Sequence, residues 1–189
     1  MNNRIIVIIS GVALIIIGVI AAIVNLTDPR NQQANQTGSN DSTNAFLQID
    51  ACDILTKKVV VDHFGGTVSG TTPVKAGNSN SNLFVTTCSL TAQSGTGPDK
   101  VTKGTALLLA RIAKNDIGAG NNQQEFEVNK PPEAVDVDEL GDRAYYVPSF
   151  NQLNIMNGNN WYILSSYKTS VLDGTLEENQ ALAQKLRFQ

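Results

Sequence analysis

The sequence predicts an α+β domain, an antiparallel sheet with helices packed on one face, standing behind a single membrane-crossing helix and a polar linker. Three observations carry that reading. An uncharged run of twenty residues fills positions 5–24, whereas 41% of the whole chain is hydrophobic. Period-two strand patterns gather in the middle and late parts of the chain, between a helical pattern near residue 50 and another after residue 175. No βαβ alternation occurs, and that favours an antiparallel sheet over a parallel one.

The first element is the apolar run Ile5 to Val24, interrupted in polarity only by Ser10, Gly11 and Gly18. At about 1.5 Å per residue a helix of this length spans about 30 Å, the thickness of a bilayer's hydrocarbon. A secretory signal has a shorter apolar core, about 7–15 residues, ending in a small-x-small cleavage site. Ala21-Ala22-Ile23 matches that site poorly, so residues 1–24 read as an uncleaved signal anchor whose partner is the lipid bilayer. Arg4 and the α-amine flank it on one side and Asp28, Arg30 and Asp41 on the other. By the positive-inside rule the N-terminus is then cytoplasmic, and residues 45–189 are extracytoplasmic at the cell membrane.

Residues 25–44, NLTDPRNQQANQTGSNDSTN, are almost devoid of apolar side chains. Such a segment buries too little surface to offset the entropy of ordering it, so it is expected to be a flexible linker. For about 20 residues the root-mean-square reach is roughly 25 Å.

From residue 45 the pattern is that of a folded domain. Residues 50–65 read as helical, with Asp50 or Thr56 as N-cap, Ile54, Leu55, Val59 and Phe64 facing inward, and Gly65 as the stop. Residues 69–82 are rich in Gly, Ser, Thr and Asn and read as a loop. In 83–92, Phe84, Thr86, Cys88 and Leu90 alternate with Val85, Thr87 and Ser89, which predicts a half-buried strand. Residues 105–113 are apolar on both faces around Leu107, Leu108 and Leu109, as in a central strand. A long loop is then expected, followed by strands near 143–147, 152–156 and 161–168, with Asn157-Gly158 as a hairpin signal. The last element is a helix opened by the capping box Thr175-Leu-Glu-Glu178, with Leu176, Leu182, Ala183 and Leu186 as its buried stripe.

Cys52 and Cys88 are the only cysteines and fall on the expected extracytoplasmic side, where thiols oxidise. A disulfide between them would pin the first helix to the 83–92 strand. By chain-entropy arithmetic, closing that loop contributes at most about 4 kcal/mol. No CxxC redox motif or zinc-ligand pattern is present.

A net charge of −3 without a basic run excludes a nucleic-acid footprint. His63 is the sole histidine, and no G-x-S-x-G, S-x-x-K, HExxH or phosphate-binding loop accompanies it. No catalytic residue and no cofactor are therefore assigned, and His63 reads as a helix-terminal side chain near the negative end of the macrodipole. Residues 125–142 carry Glu125, Glu127, Glu133, Asp136, Asp138, Glu139 and Asp142 against Lys130 alone. Positions 136, 138 and 140 read Asp, Asp, Leu, without the glycine an EF-hand requires at its sixth place, so the cluster Asp136, Asp138, Glu139 and Asp142 reads as a solvated acidic loop, not a metal site. Aromatic residues gather in the late strands. Tyr145 and Tyr146 must face opposite sides, as must Trp161 and Tyr162, so one of each pair is expected in the core. Tyr146, Trp161 and Tyr162 are the candidate binding residues, for glycan, peptide or lipid.

Asp50-Ala-Cys52-Asp-Ile-Leu-Thr56, followed by Phe64-Gly65-Gly66 and then Cys88-Ser-Leu-Thr91, resembles the opening of small extracytoplasmic domains of actinobacterial lipoproteins of unknown function. Leu140-Gly141-Asp142-Arg143-Ala144-Tyr145 resembles their later strand entry, and Leu176 to Leu186 their closing helix. The resemblance implies a disulfide-stapled α+β domain, distantly PsbP-like, without established catalysis and without binding residues to carry over. This chain departs from the pattern in having a membrane helix where those proteins have a lipidated cysteine. The expected function is a membrane-anchored, non-catalytic module that binds an envelope component or a membrane protein. The alternatives are an envelope hydrolase or transferase using carboxylates of 125–142, or a structural subunit of a surface assembly.

Overall fold

The computed structural model describes residues 46–68, the backbone of a strand at 74–75, and residues 79–188. The expected membrane span at 5–24 and linker at 25–44 lie outside the described residues, and no described helix is long and apolar enough to cross a membrane.

The helical region expected over 50–65 is two helices, α1 (Ala51–Ile54) and α2 (Lys57–Phe64), because both candidate caps are used. The Asp50 carboxylate accepts the Cys52 amide and the Thr56 hydroxyl accepts the Val59 amide, so the chain restarts its helix after Leu55. Gly65 stops α2 with φ of 76°. Ile54 and Leu55 are buried as expected and Val59 and Phe64 half-buried, while Val60 is wholly buried.

Among the described residues the sheet has eight strands, all antiparallel. Two short ones, β1 (Thr67–Val68) and β2 (Val74–Lys75), fall in or beside the expected loop and pair with the long β3 (Leu83–Ser94). Next come β4 (Val101–Ala113), β5 (Val135–Val137), β6 (Arg143–Val147), β7 (Gln152–Asn157) and β8 (Asn160–Tyr167), in the spatial order β1-β3-β4-β8-β7-β6-β5. The β7–β8 hairpin turns on Gly158 and Asn159, with Asn157 paired to Asn160 and Gly158 at φ of 58°. The closing helix α4 (Leu176–Ala183) has Thr175 as cap, its hydroxyl accepting the Glu178 amide at 3.2 Å. The return bond of the capping box is replaced, because the Glu178 carboxylate pairs with Lys168 at 2.7 Å.

The largest departure is α3 (Asp116–Val128), a helix of 13 residues inside the expected long loop. Asn115 caps it by accepting the Gly118 amide at 3.0 Å. Strand register shows that α3 lies on the opposite face from the other helices, so the expectation of helices on one face only is corrected. Cys88, Leu108, Leu164 and Leu153 stand opposite one another across β3, β4, β8 and β7. They belong to the core that also holds Ile54, Leu55, Val60, Leu182 and Leu186, under α1, α2 and α4. Three residues along, Arg111 and Trp161 are likewise partners and point the other way, toward Asn122 and Phe126 of α3. A two-sided sheet needs cover on both faces, and α3 supplies it on the second.

The disulfide joins Cys52 of α1 to Cys88 of β3, with Cα atoms 5.0 Å apart. Beside it the Ala51 amide donates to the Thr86 hydroxyl at 2.9 Å. The first helix is thus pinned to β3 covalently and by a buried hydrogen bond.

Candidate functional site

Both members of each aromatic pair are buried, which corrects the expectation of an exposed aromatic surface. Tyr146 is 6% exposed, Trp161 1% and Tyr162 0%. Tyr162 packs on Phe188 at 4.8 Å between ring centres. Tyr146 donates its hydroxyl to Asn151 Oδ1 at 3.0 Å, and its pKa is raised by burial and then by the charge of Glu177. Trp161 is covered by α3, lies under the Arg111 guanidinium at 4.9 Å, and donates its indole N–H to Asn154 Oδ1 at 3.2 Å. The alternation was legible. The cover on the second face was not.

Arg111, 3% exposed, anchors α3 to the sheet. Its Nε donates to Asn122 Oδ1 at 3.2 Å, and its Nη1 lies 2.7 Å from Glu125 Oε2. The second contact is between charges, without the alignment of an N–H···O bond. Asn122 Nδ2 donates to the carbonyls of Arg111 and Asn159, both at 2.9 Å. One carboxylate of the acidic segment, Glu125, is therefore a half-buried structural partner of a buried arginine.

Beyond this anchor, between the end of α3 and the β5–β6 hairpin, lies a cavity of about 350 Å³. Its apolar wall is Phe126 against Tyr145, 4.8 Å between ring centres. Two cations stand at the rings, each with its own carboxylate. Arg143 pairs with Glu127 and lies 5.2 Å from the Phe126 ring centre. Lys130 pairs with Asp136 and lies 5.8 Å from that of Tyr145. Burial, and then the charge of Glu127, push the Tyr145 phenol well above its ordinary pKa, so it is neutral throughout the physiological range.

The rim is the connection from Asp138 to Asp142. Leu140 turns into the core at 7% exposure, and Asp142 is fixed twice. Its amide donates to the Met156 carbonyl at 2.8 Å, and its carboxylate accepts the Gly158 amide at 2.6 Å. Asp138 and Glu139 are exposed and have no ion-pair partner among the described residues. The lining carries Glu127, Asp136, Asp138, Glu139 and Asp142 against Lys130 and Arg143, an excess of negative charge. The segment expected as a solvated acidic loop is therefore the end of a helix, a short strand and a pinned turn that together wall a cavity. Among the described residues no set of three or more His, Cys, Asp and Glu is placed to hold a metal ion.

Sequence reasoning missed Phe126, Lys130 and Arg143 as parts of this site. Their signal is long-range, in that Glu127 and Arg143 meet only once α3 lies against β6. His63 ends α2 half-buried, edge-on to Phe64 at 4.5 Å. Its pKa is lowered by burial and by Lys185, the latter donating from Nζ to the Asp62 carbonyl at 3.0 Å. His63 is remote from the cavity, whose lining it does not join.

Comparison of the chain with protein-family models, with curated proteins and with solved structures finds no match.

Proposed function

We propose that the chain is a membrane-anchored, extracytoplasmic, non-catalytic interaction module, and that the cavity beside α3 takes a cationic group of its partner. The observation that carries this is the unbalanced lining. Lys130 and Arg143 are each engaged by a carboxylate, and Asp138 and Glu139 are left projecting from a turn that Asp142 and Leu140 hold in place. A fixed cavity with charge of one sign at its mouth recognises an ammonium or guanidinium group by electrostatic complementarity. An envelope component or a membrane protein with a basic segment fits that chemistry. The apolar run at 5–24 supports the placement at a bilayer.

The test uses the full chain in detergent micelles, titrated calorimetrically with an oligoarginine peptide and with an oligoglutamate peptide of equal length. Saturable binding of the basic peptide alone is expected, weakened about three- to tenfold in D138N/E139Q, as two exposed charges of modest strength allow. The matching double neutralisation D99N/E177Q, at two exposed positions outside the cavity, should leave affinity unchanged. Equal weakening by both variants would reduce the effect to net charge and overturn the reading.

A further inference from the structure

The sheet ends at β5, and among the described residues no strand pairs with its outer edge. In an antiparallel pair alternate residues turn both their N–H and their C=O toward the partner, and the residues between turn theirs outward. Part of the main chain of Val135–Val137 therefore faces away from β6, open to a further strand. The two faces of this edge differ. Asp136 stands opposite Tyr145, on the face of α3 and the cavity, and its side chain is 78% exposed even with Lys130 beside it. Val135 stands opposite Tyr146, on the face of α1, α2 and α4, where Val137 is buried in the core. Val135 itself is 48% exposed. The edge thus carries each face of the sheet one step beyond its cover, with a carboxylate on one side and an apolar side chain on the other.

We propose that β5 is extended by a strand of the partner, an extended segment in which cationic and apolar side chains alternate. The proposal rests on the cationic-partner reading above and names how that partner is held. Paired antiparallel to β5, such a segment sets its side chains about 5 Å from Asp136 on one face and from Val135 on the other. Its cationic side chains then lie on the α3 face, at the mouth of the cavity, where the exposed Asp138 and Glu139 continue the line of negative charge. Its apolar side chains lie on the opposite face and cover Val135. A second copy of this chain does not fit. Edge against edge it would bring Asp136, Asp138 and Glu139 near their own counterparts, and like charges across a strand pair are destabilising. Three residues form few main-chain bonds, so the segment is held by those bonds together with its charges, in the mode of strand addition to an exposed edge.

The test titrates the full chain, in micelles of a non-ionic detergent, with an octapeptide of alternating valine and arginine. The controls are the same peptide N-methylated at every backbone amide, which keeps its charge but removes every main-chain donor, and the block isomer with four valines followed by four arginines. Calorimetry is expected to show the alternating peptide binding about tenfold tighter than either control, as two net main-chain hydrogen bonds allow. Hydrogen exchange of residues 135–139, read by mass spectrometry, should slow with the alternating peptide and stay unchanged with the N-methylated one. V135T, which keeps the branched shape, should weaken the alternating peptide about threefold through the lost apolar contact and leave oligoarginine binding unchanged. Equal affinity of the three octapeptides, with exchange at 135–139 unaltered, overturns the added strand and leaves the acidic cavity standing. Slowed exchange confined to other segments places the peptide elsewhere, and also overturns it. If no basic peptide binds, both readings fall.

Discussion

The two faces of the sheet are covered by different chemistry. Under α1, α2 and α4 the contact is aliphatic. Ile54, Leu55, Val60, Leu182 and Leu186 meet Cys88, Leu90, Leu108, Ile112 and Leu164, and a disulfide closes the seam. Under α3 the contact is polar and aromatic, with Arg111 held by Asn122 and Glu125 and stacked on Trp161, and with Phe126 set against Tyr145. Truncating a side chain on the aliphatic face costs packing and leaves a cavity. Removing one partner of the ion pair on the other face leaves a charge in low dielectric, a cost that deleting both partners together avoids. The polar face is the one that carries the cavity, whose wall is the same Phe126.

The largest expected effect follows from that difference. Arg111→Ala strands Glu125 and should cost about 3–5 kcal/mol, whereas R111M/E125L, which removes both charges and keeps the volume, should recover most of it. Urea unfolding of the full chain in detergent, followed by emission of the sole tryptophan, measures both. A single variant within about 1 kcal/mol of the parent would show that the pair adds nothing to the α3 face.

The disulfide tests the other face. C52S/C88S should cost about 2–4 kcal/mol, near or below the entropic limit for a loop whose ends are 36 positions apart. Ala51, Ile54 and Leu55 stay buried and the Ala51–Thr86 hydrogen bond remains, so α1 should stay docked in the folded state. Far-ultraviolet dichroism of the folded variant is expected to match the parent. Loss of helix signal before the main unfolding transition would show that the aliphatic contact cannot hold α1 by itself.

The aliphatic face was legible in the sequence because its signals are local. Thr175 precedes a leucine stripe at helical spacing, Asp50 and Thr56 precede theirs, and Phe84 to Leu90 alternate. The α3 face was not. Its inward residues Gly118, Ala119, Asn122 and Phe126 keep helical spacing, but three of the four are small or polar, so the apolar periodicity is weak. Asn122 is intelligible as a buried residue only through the carbonyls of Arg111 and Asn159, 11 and 37 positions away. The same gap hid the cavity. The acidity of 125–142 was plain, but its pairing with Arg143 across α3 and β6 depends on a helix that local propensity argues against. With α3 absent from the sequence reading, one face of the late strands looked open and Trp161 stood as an exposed candidate, whereas Tyr146 and Tyr162 lie on the other face, in the core under α1, α2 and α4.

The smallest effect isolates what a glycine-bearing helix gains from those residues. Gly118 and Gly120 sit in the same helix, two positions apart, and propensity alone makes alanine better at both by about 0.5–1 kcal/mol. Their surroundings differ. A Cβ at Gly118 would stand 2.0 Å from the Asn82 carbonyl oxygen, which also accepts the Lys114 amide at 2.8 Å, whereas a Cβ at Gly120 meets nothing within 4 Å. G120A should therefore stabilise the chain by about that amount, and G118A should destabilise it by about 1–3 kcal/mol as α3 is pushed off the β3–β4 end. Opposite signs in the same unfolding assay would mean that close approach, at the cost of propensity, selects glycine at position 118. If G118A stabilises the chain as G120A does, α3 is held less tightly than its capping and its ion pair imply, and the contrast between the two faces narrows to Arg111 alone.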